Sequence, residues 1–590
     1  RHSYTYSSST GELIKSVTGD AGGNTNYLTQ YEYGLYNDTT GERLLKELRL
    51  NDDEVRVRYG YDSFYRTEKE VRLHTDYTLN TGCTYRQGTG TNSTSFLPET
   101  QTETLTDPDS NTVETVTLSY TYDSLGNIET ISEGGIQRQK YYYDDLNQLV
   151  REDNLDLNKT IVYSYDLGGN IISTTEYAYQ TGSTISGTPT ITNTYSYTDS
   201  NWKDKLTSYN GNSISYDAIG NPLSYYNGFS FTWEKGRQLA SATNGTDTVT
   251  YTYDHEGHRV SKTVNGVTSS YTLEGDKVLF ERNGDTSLWY YYDASGAPVA
   301  IKVDNVIHLY RKNLQGDITG IYSGLTGELL VSYVYDAWGK PVITDEANTT
   351  ESAELIELNP YLYRGYRYDQ ETGLYYLQSR YYDPETGRFV NADVFASTGD
   401  SNIACNMFAY CLNNPVNLTD AEGTWPNLSS VFLGIAIVAA AVAFVALCVV
   451  TCGGAAVVGA GAAVALSTTT AVATQVAVVA VGVSATSYAA ASISYAVETS
   501  ILESKKKNLD GKKPTPTNQL QKQVENDKAP KEVDRVDKRH SDKGKDHIHF
   551  KDKTAINLDG TKSHDGNGKP RITNRFREWM NENGYKGWLK

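Results

Sequence analysis

The stretch "YTYDSLGN" (Tyr120–Asn127) decides the fold, because it returns. Its pattern is an aromatic residue (Ile in one copy), one spacer, Tyr-Asp, two residues and Gly. The pattern recurs as "YSYDLGGN" (Tyr163–Asn170), "ISYDAIGN" (Ile214–Asn221), "YTYDHEGH" (Tyr251–His258) and "YVYDAWGK" (Tyr333–Lys340). Asp123, Asp144 and Asp166 stand 21 and 22 residues apart, a period typical of stacked supersecondary units. Alternating tyrosines put large rings on one face of a strand, where they stack on neighbouring units. The Asp bonds the backbone of the turn, and the Gly takes the positive φ that the turn requires. The rings are read as structural rungs. A sugar-binding surface is the less favoured reading, since the motif accompanies every turn.

Composition agrees with a β protein of several parts. At 590 residues the chain exceeds one ordinary core. Its 48 Tyr and 50 Gly, against 2 Met and 14 Pro, favour strands and turns. The net charge of −19 is unevenly spread. From Lys505 onward lie 22 of the 53 Lys+Arg but only 13 of the 72 Asp+Glu, a balance of +9 against −28 for the rest. Such asymmetry points to two units with different partners, the basic one suited to a polyanion. The five cysteines (Cys83, Cys405, Cys411, Cys448, Cys452) form no metal-ligand grouping with histidines and imply no disulfide framework. The chain opens at Arg1 in mid-repeat and reads as a fragment, so the lack of a signal peptide carries no information.

The tyrosine–aspartate repeats resemble those of RHS proteins. Residues 360–423 resemble the RHS-repeat-associated core, through "NPYLYRGYRYDQETGLYYLQSRYYDPETGRFVNADVF" and "NMFAYCLNNPVNLTDAEG". The resemblance implies a hollow YD-repeat β-shell, wound as a cocoon-like spiral, that encloses a variable C-terminal polypeptide. It also implies self-cleavage at the end of the core. Asp393 and Asp420 occupy the positions of the family's paired aspartates, which would place the cut near Gly423–Thr424. Two nearby carboxylates can divide acid and base roles when their environments separate their pKa values. Val394 and Ala421 stand where the family has prolines, and Thr424 where leucine is usual. The competing reading makes both aspartates ordinary turn residues.

Composition then changes abruptly, with no Asp, Glu, Lys or Arg between Gly423 and Val497. "VFLGIAIVAAAVAFVALCVVTC" (Val431–Cys452) has the length and polarity of a membrane-spanning helix. The expected division is therefore a YD-repeat β-shell over 1–359, the RHS-repeat-associated core over 360–423, an apolar helical translocation or anchoring segment over 424–498, a polar basic linker over 499–539, and a small α+β toxin domain over 540–590. The fold class is mainly β throughout the first two parts.

The last part carries four of the nine histidines: His540, His547, His549 and His564. "DHIHF" reads as a strand with His547 and His549 on one face and Ile548 and Phe550 on the other. "AIN" reads as a second strand, and "TNRFREWMNENGYKGWL" as a helix with Phe576, Trp579 and Met580 on its apolar stripe. Clustered imidazoles among basic residues suit metal-free RNA cleavage, with one imidazole as base, another as acid and a cation balancing the phosphorane. His547, His549, His564 and Lys551 are the candidates for these roles. The tail also resembles short nuclease tails of polymorphic toxins. No cofactor is expected. Zinc held by His547, His549 and His564 with Asp546 is a minority reading, and purely structural histidines are another.

These readings describe a bacterial polymorphic toxin, secreted or at the cell surface, whose toxin domain acts in the cytoplasm of competing cells. The expected partners are a cognate immunity protein, RNA, and a membrane through residues 424–498. Alternatives are a surface adhesin whose repeats bind glycans, and a membrane-active toxin working through the apolar segment.

Overall fold

The computed structural model describes residues 2–19, 26–35, 43–63, 66–73, 77–87, 94–394, 403–424, 516–526, 529–531, 533–538, 546–558 and 580. They fall into two compact units on either side of residue 487. The first is mainly β. Seventeen strands between His2 and Ser213 form one sheet, each strand antiparallel to the next. Fourteen more, between Ser215 and Asp345, form a second meander of the same kind. The helix α1 (Thr350–Leu358) follows, its first turn closed by a capping box in which Thr349 and Ser352 exchange hydrogen bonds. Four short strands between Arg367 and Phe389 complete the described sheets of this unit.

The repeat chemistry explains the meander. In the turn at Asp123, the Asp Oδ1 accepts the backbone N–H groups of Leu125 (2.8 Å) and Asn127 (2.9 Å). Its Oδ2 accepts the Asn127 amide at 2.8 Å. Gly126 sits at φ +89°, a conformation that a side chain would strain. The first tyrosine of the motif (Tyr120, Tyr141, Tyr163, Tyr251, Tyr333) is buried in the core. The second ties turns together. The hydroxyls of Tyr143, Tyr165, Tyr253 and Tyr335 donate to the carbonyls of Ile128, Leu149, Leu239 and Ile318 at 2.5–2.9 Å. Each of these acceptors lies at or one residue after the start of the strand next to the tyrosine's own, and each is a fully buried aliphatic residue.

One hydrophobic core runs through both meanders. Polar contacts between them are specific. Lys69 pairs with Asp293 (3.0 Å), Asn154 Nδ2 donates to the Tyr335 carbonyl (3.0 Å), and Glu152 accepts the Ala337 N–H (2.8 Å). Buried arginines fasten the four-strand sheet to the second meander. Arg259 pairs with Asp369 (2.6 Å) and Arg367 with Glu281 (2.6 Å).

Residues 403–417 cross the edge where the early turns emerge. Asn406 Nδ2 donates to Asn170 Oδ1 (2.9 Å), Asn413 Nδ2 to the Gly169 carbonyl (2.7 Å) and to Gln148 Oε1 (2.9 Å), and Asn414 Nδ2 to Asn127 Oδ1 (3.2 Å). Asn417 Oδ1 accepts the Ile128 N–H at 2.8 Å. Four asparagines thus satisfy polar groups of three consecutive repeat turns, and all four are buried.

The second unit corrects the expected domain boundary. Residues 516–538, read as part of a polar linker, supply helix α2 (Thr517–Glu525) and the strand Val533–Asp537. That strand pairs antiparallel with His547–Phe550, which pairs in turn with Ala555–Asn557. Leu520, Val533 and Val536 join Ile548, Phe550, Leu558 and Met580 in a small core. The supposed linker therefore completes the fold of the histidine-bearing part. Val431–Cys452 lies outside the described residues, and among the described residues no helix is long and apolar enough to cross a membrane.

Asp383 generates a pH prediction. It is buried and accepts hydrogen bonds from Tyr225 (2.8 Å), Thr386 (3.0 Å) and the Glu385 N–H (2.9 Å). Burial pushes its carboxyl from 3.8 up to about 6. Between those values the folded state holds a proton that the unfolded chain has released, so stability falls as pH rises through this window. Thermal midpoints of Asp383→Asn, measured from pH 4 to pH 7, are expected to lose that decline. An unchanged profile would contradict the assignment.

Candidate functional site

The residues singled out in the sequence fall into two constellations, one in each unit. In the first, Asp393 and Asp420 converge on a single guanidinium. Arg380 Nη2 lies 3.0 Å from Asp393 Oδ2 and 3.3 Å from Asp420 Oδ2. The Arg380 side chain is held by the Phe389 ring, 3.4 Å from its centroid, and donates through Nη1 to the Met407 carbonyl (3.0 Å). Asp420 is placed by its own N–H, which donates to the Tyr366 hydroxyl at 2.9 Å. All three charged groups are buried. Burial raises the Asp420 carboxyl above its ordinary range, opposed by Arg380, and lowers the Arg380 guanidinium, opposed by the two aspartates.

The peptide bond between Gly423 and Thr424 lies against this group. The Thr424 N–H donates to Asp420 Oδ1 at 2.9 Å. The Gly423 carbonyl accepts from the Ser379 hydroxyl (2.7 Å) and from Arg380 Nε. One end of the bond thus rests on a carboxylate, and its oxygen faces two donors. Close seating requires glycine here. Gly423 has φ +66°, and a Cβ would lie 2.9 Å from Ser379 Oγ and 3.1 Å from Arg380 N. A cavity of about 710 Å³ reaches the junction, with Arg237, Ser379, Arg380, Glu422 and Thr424 among its lining residues. The structure therefore brings both predicted aspartates together, and adds Arg380 and Ser379, which sequence reading did not single out.

In the second unit, His547 and His549 lie on one face of their strand, with ring centroids 4.9 Å apart. His547 is buried and His549 half-buried. Ile548 and Phe550 turn into the core, as the alternation predicts. The neighbouring strand supplies the rest. Asp537 is the cross-strand partner of His547, and Arg535 that of His549. Asp537 Oδ2 lies 3.4 Å from His549 Nε2 and accepts from Arg535 Nε at 2.7 Å. Ligand-capable atoms of Asp537, His547 and His549 all fall within 4.8 Å of one another. Asp537, not Asp546, is thus the carboxylate at the imidazoles; Asp546 accepts from the Thr517 hydroxyl. Lys551 occupies the exposed turn beyond the strand, and Arg535, across from His549 and bonded to Asp537, is the cation on this face. His540 and His564 lie outside the described residues.

No family model matches the chain. Over 290 residues, 48% of its length, it is 37% identical to the tRNA nuclease WapA of Bacillus subtilis. It is 26% identical over 377 residues to toxin subunit YenC1 of Yersinia entomophaga, and 24% identical over 341 residues to a double-stranded DNA deaminase toxin of Burkholderia cenocepacia. These matches take in 12%, 37% and 22% of the three relatives, so the chain spans a minor part of their length. Among solved structures, the Tc holotoxin pore of Photorhabdus luminescens aligns with a TM-score of 0.54 at 19% identity, over 73% of this chain and 22% of that one. The TcdB2–TccC3 structure aligns with a TM-score of 0.50 at 19% identity, over 71% and 24%. These are likenesses of fold.

Gly423→Ala is expected to unseat the junction, through a left-handed conformation that costs a non-glycine residue about 1–2 kcal/mol and through contact with Ser379. With Asp420→Asn present in both chains, limited proteolysis near residue 424 should be faster with Gly423→Ala than without it. Equal protection would show that the junction tolerates a side chain.

Proposed function

We propose that the chain belongs to a bacterial polymorphic toxin, in which a tyrosine–aspartate-repeat β body carries a nuclease acting on RNA in competing cells. The carrying observation is the placement of two imidazoles on one sheet face, with Asp537 against His549 and Arg535 bonded to Asp537. The curated relatives support the class: one is named a tRNA nuclease and two are named as toxins or toxin subunits. The basic balance from Lys505 onward suits a phosphate backbone. In this reading Asp537 orients His549, which takes the 2′-hydroxyl proton as that oxygen attacks phosphorus. His547 delivers a proton to the departing 5′-oxygen, and Arg535 offsets the charge that builds on the phosphorane. The product would be secreted or cell-surface delivered and act in the target cytoplasm. An immunity protein with an acidic docking face would protect the producer.

The test is induced expression of residues 488–590 in bacteria, with total RNA run on a gel. Growth arrest with discrete RNA fragments is expected, and His549→Ala should slow cleavage by about 10²–10⁴-fold. Asp537→Asn should slow it less while leaving the far-UV spectrum intact. Arrest with intact RNA would remove the ribonuclease assignment, and no arrest would remove the toxin assignment.

The geometry at Gly423–Thr424 favours a second activity, self-cleavage at that bond. One of the two Arg380-bound aspartates would activate water for attack on the Gly423 carbonyl carbon. The oxygen that gains charge already faces Ser379 and Arg380, and Asp420 would pass the proton taken from the attacking water to the Thr424 nitrogen as the C–N bond breaks, leaving a Gly423 carboxylate and a Thr424 amine. Intact mass of the purified full chain should show a cut after Gly423. Asp420→Asn and Asp393→Asn should leave the chain whole, and Ser379→Ala should slow the same cut by roughly 10²-fold, the worth of one oxyanion donor. A parent chain that stays whole in the folded state would refute this reading.

A further inference from the structure

The turn "DHEGH" (Asp254–His258) carries an imidazole at its last position, where the turns at Asp293 and Asp336 carry Ala297 and Lys340. At five other turns an amide side chain donates to the turn aspartate: Asn111 to Asp107, Asn127 to Asp123, Gln148 to Asp144, Asn170 to Asp166 and Asn221 to Asp217, all at 2.8–3.0 Å. At Asp254 that position holds His258. The Asp254 Oδ1 keeps its structural task, accepting the N–H groups of Glu256, Gly257 and His258 at 2.8–2.9 Å. Its Oδ2 faces the imidazole instead of an amide. His258 Nδ1 lies 3.5 Å from Asp254 Oδ2 and 3.7 Å from Glu256 Oε2. Ligand atoms of the three residues fall within 4.8 Å of one another.

We propose that Asp254, Glu256 and His258 form a binding site for a divalent transition cation of the zinc class. The separations decide between a hydrogen-bonded cluster and a ligand set. N–H···O bonds run about 2.7–3.2 Å, shorter than either distance here. Metal–ligand bonds of about 2.0–2.1 Å place ligand atoms roughly 3.3–3.4 Å apart around a tetrahedral ion. The two imidazole–carboxylate separations therefore stand slightly outside the edges of such a tetrahedron, and an inward movement of the side chains closes it. Two carboxylates and an imidazole select Zn²⁺, Co²⁺ or Ni²⁺ over Mg²⁺ and Ca²⁺, which take oxygen sets. His255 offers a further ligand. It is almost fully exposed, and its Nε2 lies 3.8 Å from Glu256 Oε1. The turn opens on the same 710 Å³ cavity that reaches the Gly423–Thr424 junction, so an ion there has access from solvent. Because the backbone of the turn is held through Oδ1, ligation through Oδ2 leaves the fold undisturbed.

The test uses the full chain carrying His547→Ala and His549→Ala, so that the imidazoles of the second unit do not contribute. Isothermal titration with zinc chloride, and with cobalt chloride followed by visible absorption, is expected to show one equivalent bound with the spectrum of a tetrahedral ion. His258→Asn recreates the side chain found at four of the other turns and should fold normally. It is expected to lose that equivalent with an unchanged thermal midpoint in the absence of metal. Glu256→Gln, at an exposed position, should weaken binding without abolishing it. Equal stoichiometry and affinity in the His258→Asn chain would overturn the site, as would a parent chain that binds no ion.

Discussion

The hydroxyl of the second tyrosine in each repeat is the contact on which the first unit depends. At Tyr143, Tyr165, Tyr253 and Tyr335 it leaves the end of one strand and bonds a carbonyl at or next to the start of the adjacent one, so these turns are fastened to the turns before them. A two-stranded hairpin alone is marginal in water. Here every hairpin borrows rigidity from its neighbour through a buried, directional bond. The aspartate then organises the turn locally while the first tyrosine and the aliphatic acceptor fill the core. Loss of one hydroxyl would leave a buried carbonyl without its donor, a penalty of about 1–3 kcal/mol that its neighbours would feel.

The core of this unit is unusually polar for its depth. Arg259, Arg367, Arg364 and Arg380 are buried, and each meets a carboxylate: Asp369, Glu281, Asp317, and the Asp393–Asp420 pair. Such pairs add little net stability against apolar replacements but penalise wrong arrangements heavily, since a misplaced strand strands a charge. In a protein made of near-identical strands, register is the main hazard. The arginine pairs discriminate among strands that the tyrosines treat alike.

The legibility of the sequence followed the physical source of each feature. The turns were readable because Asp, Gly and Asn act locally, within five residues. The aspartates 393 and 420 were readable only through resemblance, and their partners Arg380 and Ser379 were not, because they stand at the start of another strand, Arg380 being 13 residues before Asp393 and 40 before Asp420. The histidine strand was readable from its period of two. The strand beside it was missed: "VDRVD" buries only Val533 and Val536 in a run of charge, and "NQLQKQVE" only Leu520 on a largely polar helix. Composition over that stretch resembles a solvated linker, and the few apolar residues matter only once His547–Phe550 is placed alongside. Asp537 and Arg535 therefore entered through tertiary pairing.

The asparagines of residues 406–417 give the unit a direction in time. They meet turns made 236–289 residues earlier in the chain. During synthesis, at about 5–20 residues per second, those turns wait tens of seconds with polar groups open to water before their last partners emerge from the ribosome. Contacts of such separation also form late in folding, since loop closure precedes their reward. The segment ends six residues before Gly423, so the junction is assembled by the final act of closure. The seating of that bond is therefore clocked to completion of the whole unit, because its contacts come from a strand and a segment that are themselves placed last.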